Sequence, residues 1–249
     1  MTSPEPGARR GAFISIEGPE GGGKTRQALR LRDLLVEAGL DVVLTREPGG
    51  TALGEVVREL LLSHKASGRS EEIDPRGDAL LFNAARAQLV SQVIEPALAG
   101  GQTVICTRFA DSTLAYQGFG QGLPLDELRR LERFATRGLR PDLTLLLDLP
   151  PEVGLARKTG TEVTRFEAGF DLEFHGRVRE GFRTLAAMER DRFVVIDASG
   201  PPDSVFQAVL DGATRLPSIA AARRSGPGAA APTGNSESEP GAGAVRIQR

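Results

Sequence analysis

The chain has 249 residues, enough for one domain with a sizeable core. Apolar residues make up 40% of the chain and charged residues 26%, and the net charge of −2 supplies no basic excess for binding nucleic acid. No apolar run reaches the length of about 18 residues that a membrane helix needs, and the single cysteine, Cys106, excludes an internal disulfide. We therefore expect a cytoplasmic protein that binds neither nucleic acid nor a membrane.

Five short apolar segments separated by helical stretches define the expected fold. The strands are predicted at residues 12–17, 41–45, 103–107, 143–149 and 193–198. The helices are predicted at residues 25–38, 52–62, 76–99, 124–136, 170–189 and 204–216. Because the strands alternate little between apolar and polar residues, they favour a sheet that is covered on both faces. The pattern predicts an α/β fold with a five-stranded parallel sheet flanked by helices on both faces.

The folded domain is expected to span residues 12–216. Before it, residues 1–11 are predicted to be a flexible N-terminus. After it, residues 217–249 are rich in Ala, Gly, Pro and Ser and contain no aromatic residue. Because such a segment buries too little apolar surface to offset its ordering entropy, we predict a disordered tail there.

Residues 18–25, with the sequence GPEGGGKT, match the phosphate-binding pattern G-x-x-x-x-G-K-[ST] between a predicted strand and a predicted helix. The glycines let backbone N–H groups turn toward one anion at the positive end of the helix. Lys24 is expected to reach the β- and γ-phosphates of ATP, and Thr25 to bind Mg²⁺. The predicted ATP site contains Gly18, Glu20, Gly21, Gly22, Gly23, Lys24 and Thr25. This loop alone does not identify the acceptor, because GTPases, ATPases and small-molecule kinases share it.

Two arginines indicate a second anion site. Arg46 and Arg108 each lie at the end of a predicted strand, so both guanidinium groups are expected at the edge of the sheet that carries the loop. A phosphate monoester is the natural partner for them, since the loop already holds the triphosphate.

A base site is predicted from two further pairs of residues. Phe82 and Arg86 lie four residues apart on one helix face, and a ring with a guanidinium suits a stacked base and its polar edge. Tyr116 and Gln117 add a second ring with a hydroxyl group and an amide that can pair with a base.

With these motifs in this order, the chain resembles the thymidylate kinase family of nucleoside monophosphate kinases. The similarity runs from Phe13 to Ser199 and includes the segments FISIEGPEGGGKT, LTREPGGT, LLFNAARAQLV, AYQG and PDLTLLLDLPPEVGL. The resemblance implies a P-loop kinase fold with a mobile lid. It also implies transfer of the γ-phosphoryl group of ATP to dTMP, with Mg²⁺, in a homodimer.

The resemblance further implies a role for each acceptor residue. Phe82 would stack on thymine, Arg86 would bond its O4 atom, and Gln117 would pair with its N3 edge. Arg46 and Arg108 would hold the phosphate of dTMP.

Two other residues would contact the sugar of dTMP. Tyr116 would crowd the 2′ position and so favour deoxyribose. Glu20, within the loop, would accept a hydrogen bond from the 3′-hydroxyl group.

The lid is expected at residues 156–169, because the variable positions of the loop contain no basic residue and the transferring group needs positive charge. By resemblance, Arg157 would lie against the adenine, which leaves Lys158 or Arg165 for the phosphates. The residues predicted to be catalytic are Lys24, Arg108, Lys158 and Arg165.

Two positions depart from the family pattern. Thr107 replaces the Asp that usually precedes the arginine at position 108, and Thr164 replaces an Asp of the lid. Thr107 would hold a metal-bound water, or Glu20 or Asp111 would compensate for the missing charge, or activity would be impaired. We expect an active enzyme with a weakened metal site.

Two alternatives remain beside a thymidylate kinase. The first is a catalytically impaired, nucleotide-binding or regulatory relative, which the two threonines suggest. The second is a kinase that acts on thymidine, which has no phosphate and would leave Arg46 and Arg108 unpaired.

Overall fold

The computed structural model describes residues 10–62, 73–157 and 164–225. Its centre is one parallel sheet of five strands: β1 (Phe13–Glu17), β2 (Val42–Arg46), β3 (Thr103–Thr107), β4 (Leu143–Asp148) and β5 (Phe193–Asp197). The strand order is β2-β3-β1-β4-β5. β2 and β3 therefore lie on one side of β1 and β4 and β5 on the other, so the direction in which strands are added reverses at β1. Ligands of such sheets bind at the carboxyl ends of the strands near this reversal. The predicted five-stranded parallel sheet is confirmed.

Helices cover both faces of this sheet. They are α1 (Lys24–Glu37), α2 (Ala52–Leu62), α3 (Pro75–Leu89), α4 (Glu95–Ala99), α5 (Ala110–Thr113), α6 (Leu125–Thr136), α7 (Pro151–Ala156), α8 (Arg165–Ala168), α9 (Leu172–Met188), α10 (Pro202–Ala213) and α11 (Pro217–Ser225). On β1, Ile14 and Ile16 pack toward α1 and α10, whereas Phe13 belongs to a separate cluster on the opposite face. None of the helices in the described ranges combines the length and hydropathy needed to span a bilayer.

The predicted helix over residues 76–99 is helical throughout, with a π-helical turn inside it. After α3, Val90–Ile94 forms a π-helical turn, and α4 follows it. Pro96 lies in the first turn of α4 and has no N–H group to continue the regular helical hydrogen bonds. A second π-helical segment, Leu114–Gly120, follows α5 and carries the AYQG motif.

The prediction of a tail from residue 217 is wrong for its first nine residues. Pro217–Ser225 forms α11, and Ile219 in this helix is fully buried in the core cluster of α1 and α10. Alanines around Ile219 favour helix, and burial of the Ile219 side chain contributes to docking this helix on the core. Residues 1–9 and 226–249, which include most of the predicted terminal segments, lie outside the described ranges.

Candidate active site

The phosphate-binding loop connects β1 to α1, as the sequence predicts. Gly21 and Gly23 have positive φ angles of 70° and 79°. A Cβ atom on Gly21 would lie 2.0 Å from the backbone oxygen of Gly154 in α7, so only glycine fits there. Lys24 Nζ donates hydrogen bonds to two backbone oxygens of the loop, at 2.6 and 3.0 Å. The loop therefore has the backbone shape and the cation that phosphate binding requires.

A cavity of about 420 Å³ begins at this loop and extends past the carboxyl ends of β2 and β3. The predicted ligand-binding residues that line it are Glu20, Gly21, Gly23, Lys24, Thr25, Arg46, Phe82, Arg86, Arg108, Tyr116 and Gln117. Predicted residues that do not line it are Gly18, Gly22, Arg157 and Arg165. One cavity thus joins the loop to the side chains that we assigned to an acceptor nucleotide.

Arg108 lies directly after β3, with a φ angle of 68° that is uncommon for a residue with a side chain. Its guanidinium group donates to the Glu20 carboxylate (2.6 Å), the Tyr116 hydroxyl (3.1 Å), the Gly18 oxygen (3.2 Å) and the Ser112 hydroxyl (3.2 Å). Burial lowers the pKa of Arg108, but Glu20 and Tyr116 raise this pKa by more. Arg108 therefore keeps its positive charge at the cavity wall, where Glu20 is its partner.

Glu17, at the end of β1, is a buried carboxylate that the sequence analysis did not assign to the site. It accepts hydrogen bonds from the Phe109 backbone nitrogen (2.7 Å) and the Ser112 hydroxyl (2.6 Å). Burial and the nearby Asp111 raise the pKa of Glu17 to about 7. Glu17 thereby fixes the segment that follows Arg108.

Arg86 and Glu47 form a buried ion pair on the acceptor side of the cavity. Nε and Nη2 of Arg86 donate to one oxygen of Glu47, at 2.8 and 2.7 Å. Nη1 donates to Asn83 and Nη2 also to the Thr113 hydroxyl, at 3.0 and 3.1 Å. Burial raises the pKa of Glu47, and Arg86 opposes this shift. Glu47 therefore orients Arg86, a role that the sequence did not indicate.

The side chains predicted to contact a base meet in the same part of the cavity. The ring of Phe166, from α8, lies 6.0 Å from the ring of Phe82 and 5.7 Å from the ring of Tyr116. Gln117 is buried, and its Nε2 atom has no hydrogen-bond partner within the described residues. A buried donor without a partner is costly, so a ligand acceptor at this point would stabilise the arrangement.

Arg46, the last residue of β2, lines the cavity with its side chain about half exposed. Its Nη2 atom donates to both carboxylate oxygens of Glu55 in α2, at 3.1 and 3.2 Å. An exposed pair of this kind is weak, so an anion in the cavity can compete for the guanidinium group.

The described lid arginines do not line the cavity. Arg157 donates to two backbone oxygens just after β5, at 2.7 and 2.5 Å. Arg165 pairs with the buried Asp78 of α3 at 2.6 Å. Asp78 is fully buried and needs a counter-charge, which explains why Arg165 does not occupy the phosphate position predicted for it. Lys158 lies outside the described residues.

The structure also bears on the two threonines that replace family aspartates. Thr107 and Thr164 both line the cavity. Asp111 points away from it and accepts two hydrogen bonds from Arg192, at 2.7 and 2.8 Å. The explanation in which Asp111 compensates for Thr107 is therefore wrong, whereas Glu20 does reach the cavity.

The cavity contains further residues to which sequence analysis gave no role. They are Arg26, Glu47, Pro48, Arg58, Leu62, Phe109, Ser112, Thr113 and Phe166. Arg26 directly follows the phosphate-binding loop, and Glu47 directly follows Arg46. Both could have been predicted by including one more residue after each of these sites. Leu62 and Phe166 come from elements whose packing brings them to the cavity, and no local pattern marks them.

Comparison with known proteins agrees with this geometry. The model of the thymidylate kinase family matches residues 16–209. The thymidylate kinases of Synechococcus sp. (strain JA-2-3B'a(2-13)) and Deinococcus radiodurans are 52% and 51% identical to this chain, over 78% and 79% of it and 89% and 93% of those proteins. A crystal structure of thymidylate kinase from Ehrlichia chaffeensis matches with a TM-score of 0.64 and 34% identity, covering 81% of this chain and 98% of that one.

Proposed function

Because the chain belongs to the thymidylate kinase family, we propose that it transfers the γ-phosphoryl group of ATP to dTMP and releases dTDP and ADP. The observation that carries this proposal is the single cavity in which the phosphate-binding loop faces Phe82, Arg86 and Gln117. Holding donor and acceptor in one cavity supplies the proximity that the transfer needs. The comparisons give no support to a catalytically impaired relative.

The donor side is formed by the loop and by Lys24. The β- and γ-phosphates of ATP replace the loop oxygens as partners of Lys24 Nζ, while the loop N–H groups and the start of α1 bind the same anion. Arg157, held just after β5, contacts the adenine on the far side of the loop.

The acceptor side is formed by Arg108, Arg46 and the base-contacting residues. The phosphate of dTMP displaces Glu20 from Arg108, and Glu20 then accepts from the 3′-hydroxyl group. Gln117, whose amide donor has no partner in the described residues, pairs with the base edge. Phe82 stacks on that base, beside Arg86, which Glu47 holds in place.

The transfer needs no general base at neutral pH. A phosphate monoester has its second pKa near 6, so an oxygen of dTMP is already ionised. The bond from this oxygen to the γ-phosphorus forms while the bond from that phosphorus to the β–γ bridging oxygen breaks. Positive charge from Lys24 and Arg108 stabilises the charge on the transferring group and on the leaving ADP.

The oxygen donors beside the loop fit Mg²⁺. Thr25 and Thr107 line the cavity there, and no cluster of three or more His, Cys, Asp or Glu side chains that would hold a metal occurs among the described residues. Mg²⁺ in phosphoryl-transfer sites takes few protein ligands and keeps several waters. Bound with ATP, it would neutralise charge on the β- and γ-phosphate oxygens. We assign Thr25 as its protein ligand.

Release of ADP distinguishes the candidate functions. We expect dTMP-dependent ADP release from the full chain with ATP and Mg²⁺, and at least 100-fold lower kcat/KM with thymidine, because Arg46 and Arg108 then have no phosphate to bind. A Lys24→Ala variant controls for contaminating kinases. Nucleotide binding without ADP release would instead identify a regulatory relative, and faster release with thymidine would identify a nucleoside kinase.

We also propose a cytoplasmic location, as expected from the composition, and a homodimer, as the sequence resemblance implies. The exposed apolar side chains Leu53 and Val56 on α2 and Leu80 on α3 support an interface on these two packed helices.

A further inference from the structure

Arg26 differs from every other cationic side chain that lines the cavity. Six described cations line it, and five of them are bound to protein groups: Lys24, Arg46, Arg58, Arg86 and Arg108. Arg26 alone makes no hydrogen bond, ion pair or ring contact with any residue in the described ranges. Its guanidinium group is therefore available to a ligand without breaking a protein contact.

The position of Arg26 in its helix is unfavourable unless an anion is present. Arg26 is the third residue of α1, and the first turn of this helix contains no acidic residue. A cation there opposes the helix macrodipole, which places partial positive charge at the same end of the helix. A phosphate group bound by the loop converts this repulsion into attraction.

The described part of the lid does not bring a cation to this place. Arg165 is bound to Asp78, and Arg157 is bound to backbone oxygens after β5. Neither lines the cavity, whereas Arg26 lines it together with Thr25 and Thr107. The charge that the transferring group needs is therefore present on α1.

We propose that Arg26 is a further phosphate-binding residue, whose guanidinium group contacts the γ-phosphoryl group of ATP before and during its transfer. This proposal rests on the proposed function. A guanidinium group pairs with two phosphate oxygens at once and stays charged, so it stabilises the negative charge on the transferring group. Arg26 thereby supplies the role that the sequence analysis assigned to the lid.

Substitution of Arg26 tests the proposal with a matched control on the same helix. Arg30 lies four residues later, pairs with Asp203, has its guanidinium over the Phe206 ring, and does not line the cavity. We expect Arg26→Gln to lower kcat/KM for ATP about 10- to 100-fold, the effect of one charge-assisted contact. Arg30→Gln should stay within twofold of wild type, and Arg26→Lys should recover part of the loss.

Binding measurements separate this proposal from the proposed function. Calorimetry should show weaker binding of ATP to Arg26→Gln, by about tenfold, with binding of ADP unchanged within twofold, since ADP has no γ-phosphate. If dTMP-dependent turnover is absent from wild type but this ATP-specific loss occurs, the proposed function is wrong and the role of Arg26 stands. If Arg26→Gln keeps both ATP affinity and turnover within twofold, or if Arg30→Gln loses as much, Arg26 has no such role.

Discussion

The conformation of Arg108 depends on Glu17, a carboxylate that does not line the cavity. Arg108 N donates to the Ile16 oxygen of β1 at 3.0 Å, and Glu17 holds the Phe109 nitrogen and the Ser112 hydroxyl. The hydrogen bonds of the Arg108 and Phe109 backbone nitrogens hold the backbone before and after the Arg108 side chain, and they maintain the uncommon φ angle of Arg108. Glu17 is therefore a positioning residue, and its charge has a cost because the group is fully buried.

Glu17→Gln should separate these two effects. An amide still accepts from Phe109 and donates to Ser112, so the fold persists, but the loosened segment should raise KM for dTMP about 3- to 10-fold, with a smaller change in kcat. The raised pKa of Glu17, about 7 against 4.5, means that the folded state binds its proton more tightly than the unfolded state. As the pH rises from about 4.5 to about 7, this group therefore lowers the free energy of unfolding of the wild type by about 3 kcal/mol. The Glu17→Gln variant should not show this decrease.

Urea unfolding at pH 5 and pH 8, together with steady-state kinetics, measures both quantities. Ser15→Ala is the matched control, because Ser15 is buried two residues earlier in β1 and bonds Thr144 instead of the Arg108 segment. A Glu17→Gln variant with unchanged KM for dTMP would show that Glu17 does not position Arg108. Equal stability differences at both pH values would contradict the raised pKa.

The sequence did not predict which carboxylate pairs with each arginine of the site. Strand ends placed Arg46 and Arg108 at one edge of the sheet, because parallel strands bring their carboxyl ends together. The partners Glu20 for Arg108 and Glu47 for Arg86 lie 88 and 39 residues away. Such pairs depend on how elements pack, which no local spacing encodes.

At the scale of elements, α11 tests how a short helix outside the family match contributes to stability. The family match ends at residue 209, and α11 begins at Pro217. Ile219 is its fully buried contact with the core. We expect Ile219→Ala to lower the free energy of unfolding by about 2–5 kcal/mol, as for other buried isoleucines.

The matched control is Arg224→Ala, which changes an exposed residue of the same helix. It should alter the free energy of unfolding by less than about 0.5 kcal/mol. Equal stability of Ile219→Ala and wild type in urea would mean that α11 does not dock in solution.

The strands were predictable to within about one residue, because each is a short apolar run bounded by polar residues. α11 was not, since its composition of Ala, Pro and Ser is also typical of disordered segments and a single buried isoleucine decides the outcome. The π-helical turn between α3 and α4 was not predicted, although Pro96 lies just after it in the sequence.

At the scale of the whole molecule, the proposed homodimer needs a face on which two copies can meet. α2 and α3 pack on each other and expose Val56 and Leu80, whose relative exposures are 65% and 58%. Large apolar side chains exposed to this degree on neighbouring helices favour burial against a partner. Residue 80 lies two positions before Phe82, so a dimer through this face would place the acceptor pocket close to the interface.

Leu80→Asp should convert the dimer into a monomer, because a two-fold interface would bury this carboxylate twice. Sedimentation equilibrium should then give a mass near the 26.5 kDa of one chain, against twice that value for wild type. Val36→Asp is the control, since Val36 is 51% exposed on α1, away from this face, and the variant should remain dimeric. A wild-type mass of one chain would exclude the dimer. If Leu80→Asp remains dimeric, the copies do not meet through this face.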